Sequence, residues 1–257
     1  MEELTAREQV IVNRKPLSAL VDATLSIEKL RVQNQIRITH LHLKGRDDPE
    51  TNDLHKRIVE LEEYVDGRIA KLIVSHPAYP WFSRVKGIGK ENIGKIVALV
   101  DIEKAGTISG LWKFCGYAVE NGKSPRRVKG GGPLTYNSQL RTMCWRLGSS
   151  LMRAQGVFYD YYVAQKDTYT QRFANNGTSV VPATKLPKVD GKKTETPAYI
   201  SEGHVHNMAL RKMIKLFLAC LWLEWRKAEG LPVTKPYSID ILQHDSMIEP
   251  EDMTDRE

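Results

Sequence analysis

The stretch VKGIGKENIGKIVAL, residues 85–99, decides most of the fold prediction, because it places a two-glycine turn directly before a helical pattern. Gly87 and Gly89 flank one apolar residue, which predicts a tight turn. Apolar residues then recur at helical spacing from Ile93 onward, and a short helix is predicted just before the turn. We therefore predict a helix-hairpin-helix in this part of the chain.

The turn predicts a site for an anion. Several backbone N–H groups would meet beside the start of a helix, where the partial positive charge of the helix favours negative groups. We expect six residues to contact nucleic-acid phosphates rather than bases: Lys86, Gly87, Ile88, Gly89, Lys90 and Lys95. The alternative is a glycine turn that joins two packed helices and binds nothing.

Two amphipathic segments precede the turn. Residues 17–43 form a long mixed segment, and between Leu54 and Leu72 apolar residues recur at alternating spacings of three and four. Such a stripe is typical of a helix that packs along a partner. We predict an antiparallel helical hairpin, or coiled-coil arm, in residues 1–76. The arm is interpreted as a packing element, with self-association into a homo-oligomer as the alternative.

Further helices are predicted after the turn. Thr107 and Asn137 are suitable N-caps for two of them. The predicted helices cover residues 108–115, 137–153, 158–173 and 201–229. Residues 175–199 are rich in Gly, Pro, Thr and Lys, and they predict a flexible insertion. The predicted fold class is therefore all-α, with the arm followed by a helix-hairpin-helix-containing domain in residues 77–232.

The remaining residues, 233–257, form an acidic tail. Seven acids and one arginine fall between residues 240 and 257. This composition is typical of a disordered, solvated segment. The alternative is that the acids shield a basic groove from non-specific DNA.

The overall composition narrows the class of protein. Among 257 residues, 38 Lys and Arg against 31 Asp and Glu leave a formal net charge of +7, and 41% hydrophobic residues suffice for a core. No apolar run approaches the length of a membrane span, and three widely spaced cysteines predict buried thiols. We expect a cytoplasmic protein that favours polyanions and has no membrane partner.

Basic residues accumulate in a segment that has no acid, residues 121–159. Here we predict further DNA contacts from Lys123, Arg126, Arg127, Lys129, Arg141 and Arg146. Arg211 and Lys212 share the polar side of the last predicted helix and are added to the set. For the residues before 133 the alternative is a solvated loop.

His204 and His206 are separated by one residue, which invites a metal interpretation. Zinc needs three or four ligands, and no acid or cysteine stands nearby at ligand spacing. We therefore predict no metal site and no cofactor.

In residues 54–227, roughly two thirds of the chain, the order of these motifs resembles the C-terminal part of the insertion-sequence transposases of the one-ten family, which are guided by a bridge RNA. The arm is followed by His76-Pro77 and by the glycine turn. Next come residues 111–117, LWKFCGY, and the helix that starts near Asn137.

The resemblance implies a domain that binds DNA and a guide RNA and that carries a serine nucleophile after the segment matching residues 116–117. The residue at a compatible distance is Ser124. Family members also carry a RuvC-like domain, whose four acids hold divalent metal and which precedes the coiled coil. We expect this chain to lack it, and Mg²⁺ to be required only with a separate RuvC-like partner.

Three functional hypotheses follow from these features. The first is a non-enzymatic protein that binds double-stranded DNA through the glycine turn and the basic segment. The second is a DNA recombinase or transposase that acts through Ser124 with a RuvC-like partner and a guide RNA. The third is a scaffold that dimerises through the arm and bridges two DNA segments.

Overall fold

A computed structural model describes residues 6–119, 124–127, 130, 132–234 and 248–256. The chain divides into two units: Met1–Tyr79 with Gly89–Asp101, and Pro80–Ile88 with Ile102–Glu257. This division differs from the predicted boundary after residue 76, because residues 89–101 belong with the arm. The two-glycine turn is divided as well, with Gly87 in the second unit and Gly89 in the first.

The first unit is built from long helices. It contains α1 (Ala6–Leu43), α2 (Pro49–Leu72), a short 3-10 helix (Ile73–Ser75) and α4 (Lys90–Leu99). The division between the two units falls within α3 (Tyr79–Phe82), because Tyr79 is the last residue of the first segment of this unit. The Asn34 side chain donates to the carbonyl of Thr51 at 3.1 Å, and Arg31 pairs with Glu62. A residue later in α2 therefore contacts a residue earlier in α1, so the two helices run antiparallel.

The core of the first unit lies where α4 packs against α1 and α2. Ile58, Val65 and Ile69 of α2 and Ile93 and Ile96 of α4 are buried. They are the apolar positions of the stripes seen in the sequence, and their burial is the main force that holds this unit together.

Gly94 lets α4 approach α2 closely. A Cβ at this position would overlap the Cγ2 atom of Ile69, whereas a Cβ at Gly67, on an exposed part of α2, would meet nothing within 4 Å. We expect Gly94→Ala to destabilise the protein by about 1–3 kcal/mol through overpacking. The matched change Gly67→Ala should stabilise it by about 0.5–1 kcal/mol through helix propensity. Thermal unfolding of both variants checks this prediction, which is contradicted if Gly94→Ala unfolds no earlier than the wild type.

The second unit is also helical. It contains α5 (Ile108–Phe114), α6 (Ser138–Ala154), α7 (Val157–Asn175) and α8 (Glu202–Ala228). The two predicted caps are confirmed: Thr107 Oγ1 accepts from the Gly110 N–H at 3.1 Å, and Asn137 Oδ1 accepts from the Leu140 N–H at 3.0 Å. Each cap satisfies an N–H group that the first turn of a helix leaves without an internal partner.

Helix α8 is the centre of the second unit, because α5, α6 and α7 all pack against it. Phe217 of α8 lies between Trp81 and Phe158, with ring centroids 5.7 and 5.6 Å away. The tilted and edge-on arrangement of these rings is the favourable one for aromatic pairs. This cluster joins the segment before the glycine turn to the helical core.

The predicted flexible insertion is folded. Strand β1 (Ser179–Val181) pairs in parallel with β4 (Tyr199–Ser201), in the register Ser179↔Tyr199. Between them β2 (Lys188–Val189) and β3 (Lys192–Lys193) form an antiparallel hairpin. The expectation of an irregular loop is therefore corrected, because the backbone hydrogen bonds of two small sheets give the segment regular structure, and β4 leads directly into α8. The flexibility of the insertion stays a prediction.

The all-α fold class is confirmed. In the part of the chain that the structure describes, no helix is both long and apolar enough to cross a membrane. The arm exposes large apolar side chains, among them Leu30, Ile36, Leu43, Leu54 and Leu61. Self-association through the arm stays a prediction.

Candidate nucleic-acid interface

The glycine turn is partly covered by its own chain. Gly87 has a φ of +91°, and a Cβ there would lie 2.6 Å from the Cβ of Ala154 and 3.1 Å from the carbonyl oxygen of Ser150. Helix α6 therefore fills the space beside Gly87. Glycine is required at this position both for its backbone conformation and for the close packing.

A carboxylate already occupies an anion position beside the turn. Asp255 accepts from the Lys86 N–H at 2.7 Å and, through its other oxygen, from the Val157 N–H at 2.8 Å. Gly156 precedes Val157, and a Cβ there would overlap the carboxylate of Asp255. The start of α7 favours a negative group, so Asp255 takes the kind of position that the sequence assigned to a DNA phosphate.

The C-terminal segment that carries Asp255 packs against other parts of the second unit, to which it belongs. Arg84 donates to both carboxylate oxygens of Glu251 at 2.8 Å, and the Trp81 indole donates to the carbonyl of Pro250 at 2.8 Å. Met253 is buried. The prediction of a solvated tail is therefore wrong for residues 248–256, whose acids instead pair with basic and backbone groups. Residues 235–247 lie outside the described part of the chain.

Lys95 is removed from the predicted DNA contacts. The residue is 3% exposed, and its ammonium group pairs with Glu28 at 2.9 Å and with Asp66 at 3.0 Å. A lysine held between two carboxylates inside the first unit is not available to a phosphate. Lys86 and Lys90 are exposed, and the Lys90 ammonium lies 5.7 Å from the ring centroid of Tyr79.

A basic cleft lies in the second unit, formed by α6, the start of α8 and the described residues 124–126. We call this cavity of about 790 Å³ the arginine cleft. Its lining residues are Tyr117, Ser124, Arg126, Arg141, Thr142, Trp145, Ser201, Gly203, His204, Asn207, Met208 and Arg211. The volume is of the size that binding sites for small ligands and ligand fragments usually have.

Arg141 is held in place at one wall of the arginine cleft. Its Nη1 donates to the carbonyl of Pro125 at 2.7 Å and its Nη2 to the hydroxyl of Ser124 at 3.4 Å. The guanidinium also stacks on Tyr136, 4.9 Å from the ring centroid. Because Arg141 is fixed from two sides, its charge and remaining donors are already oriented before any ligand binds.

Arg211 reaches the arginine cleft from α8. Its Nε lies 3.4 Å from the carbonyl of Tyr117, whose ring centroid is 5.9 Å from the guanidinium. Burial lowers the pKa of Arg211, and the positive charge of Arg141 lowers it further. The shift therefore comes mainly from burial, to which the neighbouring guanidinium adds.

A second basic residue of α8 shows the same accumulation of charge. Burial, followed by the charges of Arg211 and Lys212, lowers the pKa of Lys215, whose ammonium lies 3.9 Å from the ring centroid of Trp112. This part of α8 thus carries half-buried like charges that lie beside aromatic rings.

One histidine of the arginine cleft has a carboxylate partner. His204 Nδ1 lies 2.7 Å from an oxygen of Glu195, and the other oxygen of Glu195 accepts from the hydroxyl of Ser201 at 2.6 Å and from its N–H at 3.0 Å. Burial alone would raise the pKa of Glu195, but the hydrogen bonds from Ser201 and His204 outweigh it and lower the pKa. Glu195 is therefore held as a carboxylate.

The structure brings together only part of the predicted site. Ser124, Arg126, Arg141 and Arg211 line the arginine cleft. Three other predicted contacts, Arg127, Arg146 and Lys212, are exposed but are not among its lining residues. Lys123 and Lys129 lie outside the described residues.

Sequence reasoning missed Glu195 entirely. It lies in the segment that was predicted to be flexible, which carries no periodicity to mark it. Ser201 is the residue that could have pointed to Glu195. A serine at the start of a long helix predicts an N-cap, and the hydroxyl of this serine needs a hydrogen-bond acceptor when it is not exposed.

No family model, curated protein or solved structure matches this chain. Its function is therefore inferred from its own residues.

Proposed function

We propose that the chain binds double-stranded DNA by holding phosphates of the backbone in the arginine cleft. The observation that carries the proposal is the convergence of Arg126, Arg141 and Arg211 on one cavity. Within the residues that the structure describes, none of the three forms an ion pair with a carboxylate. Guanidinium groups match the geometry of phosphate oxygens and form two parallel hydrogen bonds with them.

Binding of this kind does not depend on DNA sequence. Arginines that contact phosphates position a protein on the duplex and release condensed counterions, which makes the affinity strongly dependent on salt. Trp145 is 41% exposed at the edge of the arginine cleft. An indole in this position supplies a flat apolar surface for a sugar or a base. We assign to the glycine turn a smaller part in binding than the sequence suggested, because α6 and Asp255 occupy positions around it.

Photochemical cross-linking tests where DNA lies. A duplex that contains 5-iodouracil, irradiated with the full chain, should give a cross-linked peptide that contains Trp145. Tyr64 serves as a matched control, because it is 65% exposed but lies on α2 of the first unit. Cross-links at Tyr64 without any at Trp145 would contradict the proposed location, and an RNA competitor that removes the Trp145 product would show that the cleft also accepts RNA.

A second candidate function is strand transfer through Ser124. The observation that favours it is the hydrogen bond from Arg141 to the Ser124 hydroxyl, which places a cation beside a potential nucleophile. The resemblance to the one-ten family of transposases implies that a RuvC-like partner with Mg²⁺ and a guide RNA would then take part. In this reading a DNA phosphate held by the arginines is the substrate, not only the anchor.

A further inference from the structure

The arginine cleft contains an arrangement of groups that binding alone does not need. His204 and Ser124 line the same cavity, and Glu195 holds the His204 ring through Nδ1. From this geometry we propose that His204 takes the proton of the Ser124 hydroxyl when it attacks a phosphodiester, with Glu195 as the residue that positions His204. The proposal rests on the second candidate function above.

The imidazole of His204 is oriented by its carboxylate partner. When Nδ1 donates to Glu195, the neutral ring presents Nε2 as an acceptor. Glu195 in turn is fixed by the N–H and the hydroxyl of Ser201, the N-cap residue of α8. A nucleophile, a base and a residue that orients the base are the parts that covalent catalysis by a hydroxyl requires.

Charge in the cleft is suited to this step. Glu195, from the segment between β3 and β4, faces His204 and would stabilise the imidazolium that forms when the ring takes a proton. Among the described residues, Arg126, Arg141 and Arg211 also line this cavity. They stabilise the phosphate oxygens as negative charge builds on them. The other histidine of this helix turn, His206, is hydrogen-bonded to Tyr162 at 2.7 Å.

The proposed step conserves atoms and electrons. The Ser124 Oγ forms a bond to phosphorus, and the bond between phosphorus and the leaving sugar oxygen breaks. The proton of the hydroxyl moves to His204 Nε2 and from there to the leaving oxygen. The products are a phosphodiester between Ser124 and one DNA strand end and a free hydroxyl on the other, so one phosphodiester replaces another and no further reactant is consumed.

A fluorophosphonate ester provides a test that does not need a partner protein or a guide RNA. The full chain would be treated with the reagent, and modified residues would be identified by mass spectrometry. We expect modification of Ser124 to be at least about 100-fold faster than that of Ser138, an exposed serine at the start of α6. The wild-type rate should fall on the acid side, as expected for a reaction that needs a general base.

Variants separate catalysis from structure. We expect His204→Ala to lower the Ser124 rate about 100-fold and to remove its dependence on acid pH, and Glu195→Gln to lower it at least about tenfold. The structural control is Thr107→Ala, which removes the N-cap of α5 but no group of the network around His204. This variant should retain most of the rate and the pH dependence. A loss as large as that of His204→Ala would mean that the rate reports only a general loss of helix stability, and it would overturn the proposal.

Two outcomes distinguish this inference from the proposed DNA binding. If Ser124 reacts no faster than Ser138, or equally fast in the wild type and in His204→Ala, the inference is overturned. The affinity of His204→Ala for duplex DNA is measured in parallel, because this variant leaves the three arginines unchanged. If His204→Ala keeps both its affinity for DNA and the reactivity of Ser124, DNA binding is supported and the proton transfer is not. If the wild type does not bind DNA at all, the function on which both proposals depend is refuted.

Discussion

The double variant Arg126→Ala/Arg211→Gln is expected to bind duplex DNA about 100-fold more weakly than the wild type. Each arginine is expected to make one charged contact with a phosphate, and loss of such a contact costs about 1.4 kcal/mol or more, which is a factor of ten in affinity. Glutamine at position 211 keeps a donor for the carbonyl of Tyr117, so the cleft wall retains a hydrogen bond. Fluorescence anisotropy with a labelled duplex at fixed salt measures the effect.

The control for this experiment is Arg57→Ala. Arg57 is exposed on α2, where it pairs with Asp53, and the variant changes the net charge without touching the arginine cleft. Its affinity for DNA should stay within about twofold of the wild type. Circular dichroism establishes that each variant is folded. Equal losses in the control and in the double variant would mean that only net charge matters.

Lys95→Ala is expected to lower the free energy of unfolding by about 3–5 kcal/mol. Removal of this ammonium leaves the carboxylates of Glu28 and Asp66 in a largely buried place without the charged group that both of them contact. The matched control is Lys90→Ala on the same helix, where the lysine is exposed and the change should cost less than about 0.5 kcal/mol. Chemical denaturation followed by circular dichroism measures both, and equal stability of the two variants would refute the role assigned to Lys95.

The burial of Lys95 affects the choice of variants at the glycine turn. If Lys86, Lys90 and Lys95 are replaced together, DNA binding would be lost because the fold is lost, whether or not the turn contacts DNA. The pair Lys86→Ala/Lys90→Ala changes only exposed lysines. It therefore separates a contribution of the turn from a contribution of the arginine cleft.

Features determined by neighbouring residues were predictable. Thr107 and Asn137 cap helices because their side chains reach N–H groups three residues ahead, and the apolar stripe of α2 depends only on its own spacing. Lys95 was misassigned because its partners are 67 and 29 residues away in the chain. A lysine in a glycine-rich turn region looks the same in sequence whether it faces solvent or two distant carboxylates.

Only some residues of the candidate site could likewise be predicted from the sequence. A run without acids pointed to Arg126 and Arg141, but only the packing of α6 against α8 determines that Arg211 joins them while Arg146 does not. Glu195 reaches His204 because β1 and β4 pair in parallel and return the chain to the start of α8. Pairing between distant short strands leaves little trace in composition or periodicity.

If arginines of the cleft neutralise DNA phosphates, the salt dependence of binding counts those phosphates directly. The slope of the logarithm of the association constant against the logarithm of salt concentration changes by about 0.9 for each phosphate contact. We predict a slope that is shallower by about 1.8 in Arg126→Ala/Arg211→Gln than in the wild type, with the slope of Arg57→Ala unchanged. Identical slopes for the wild type and the double variant would contradict it.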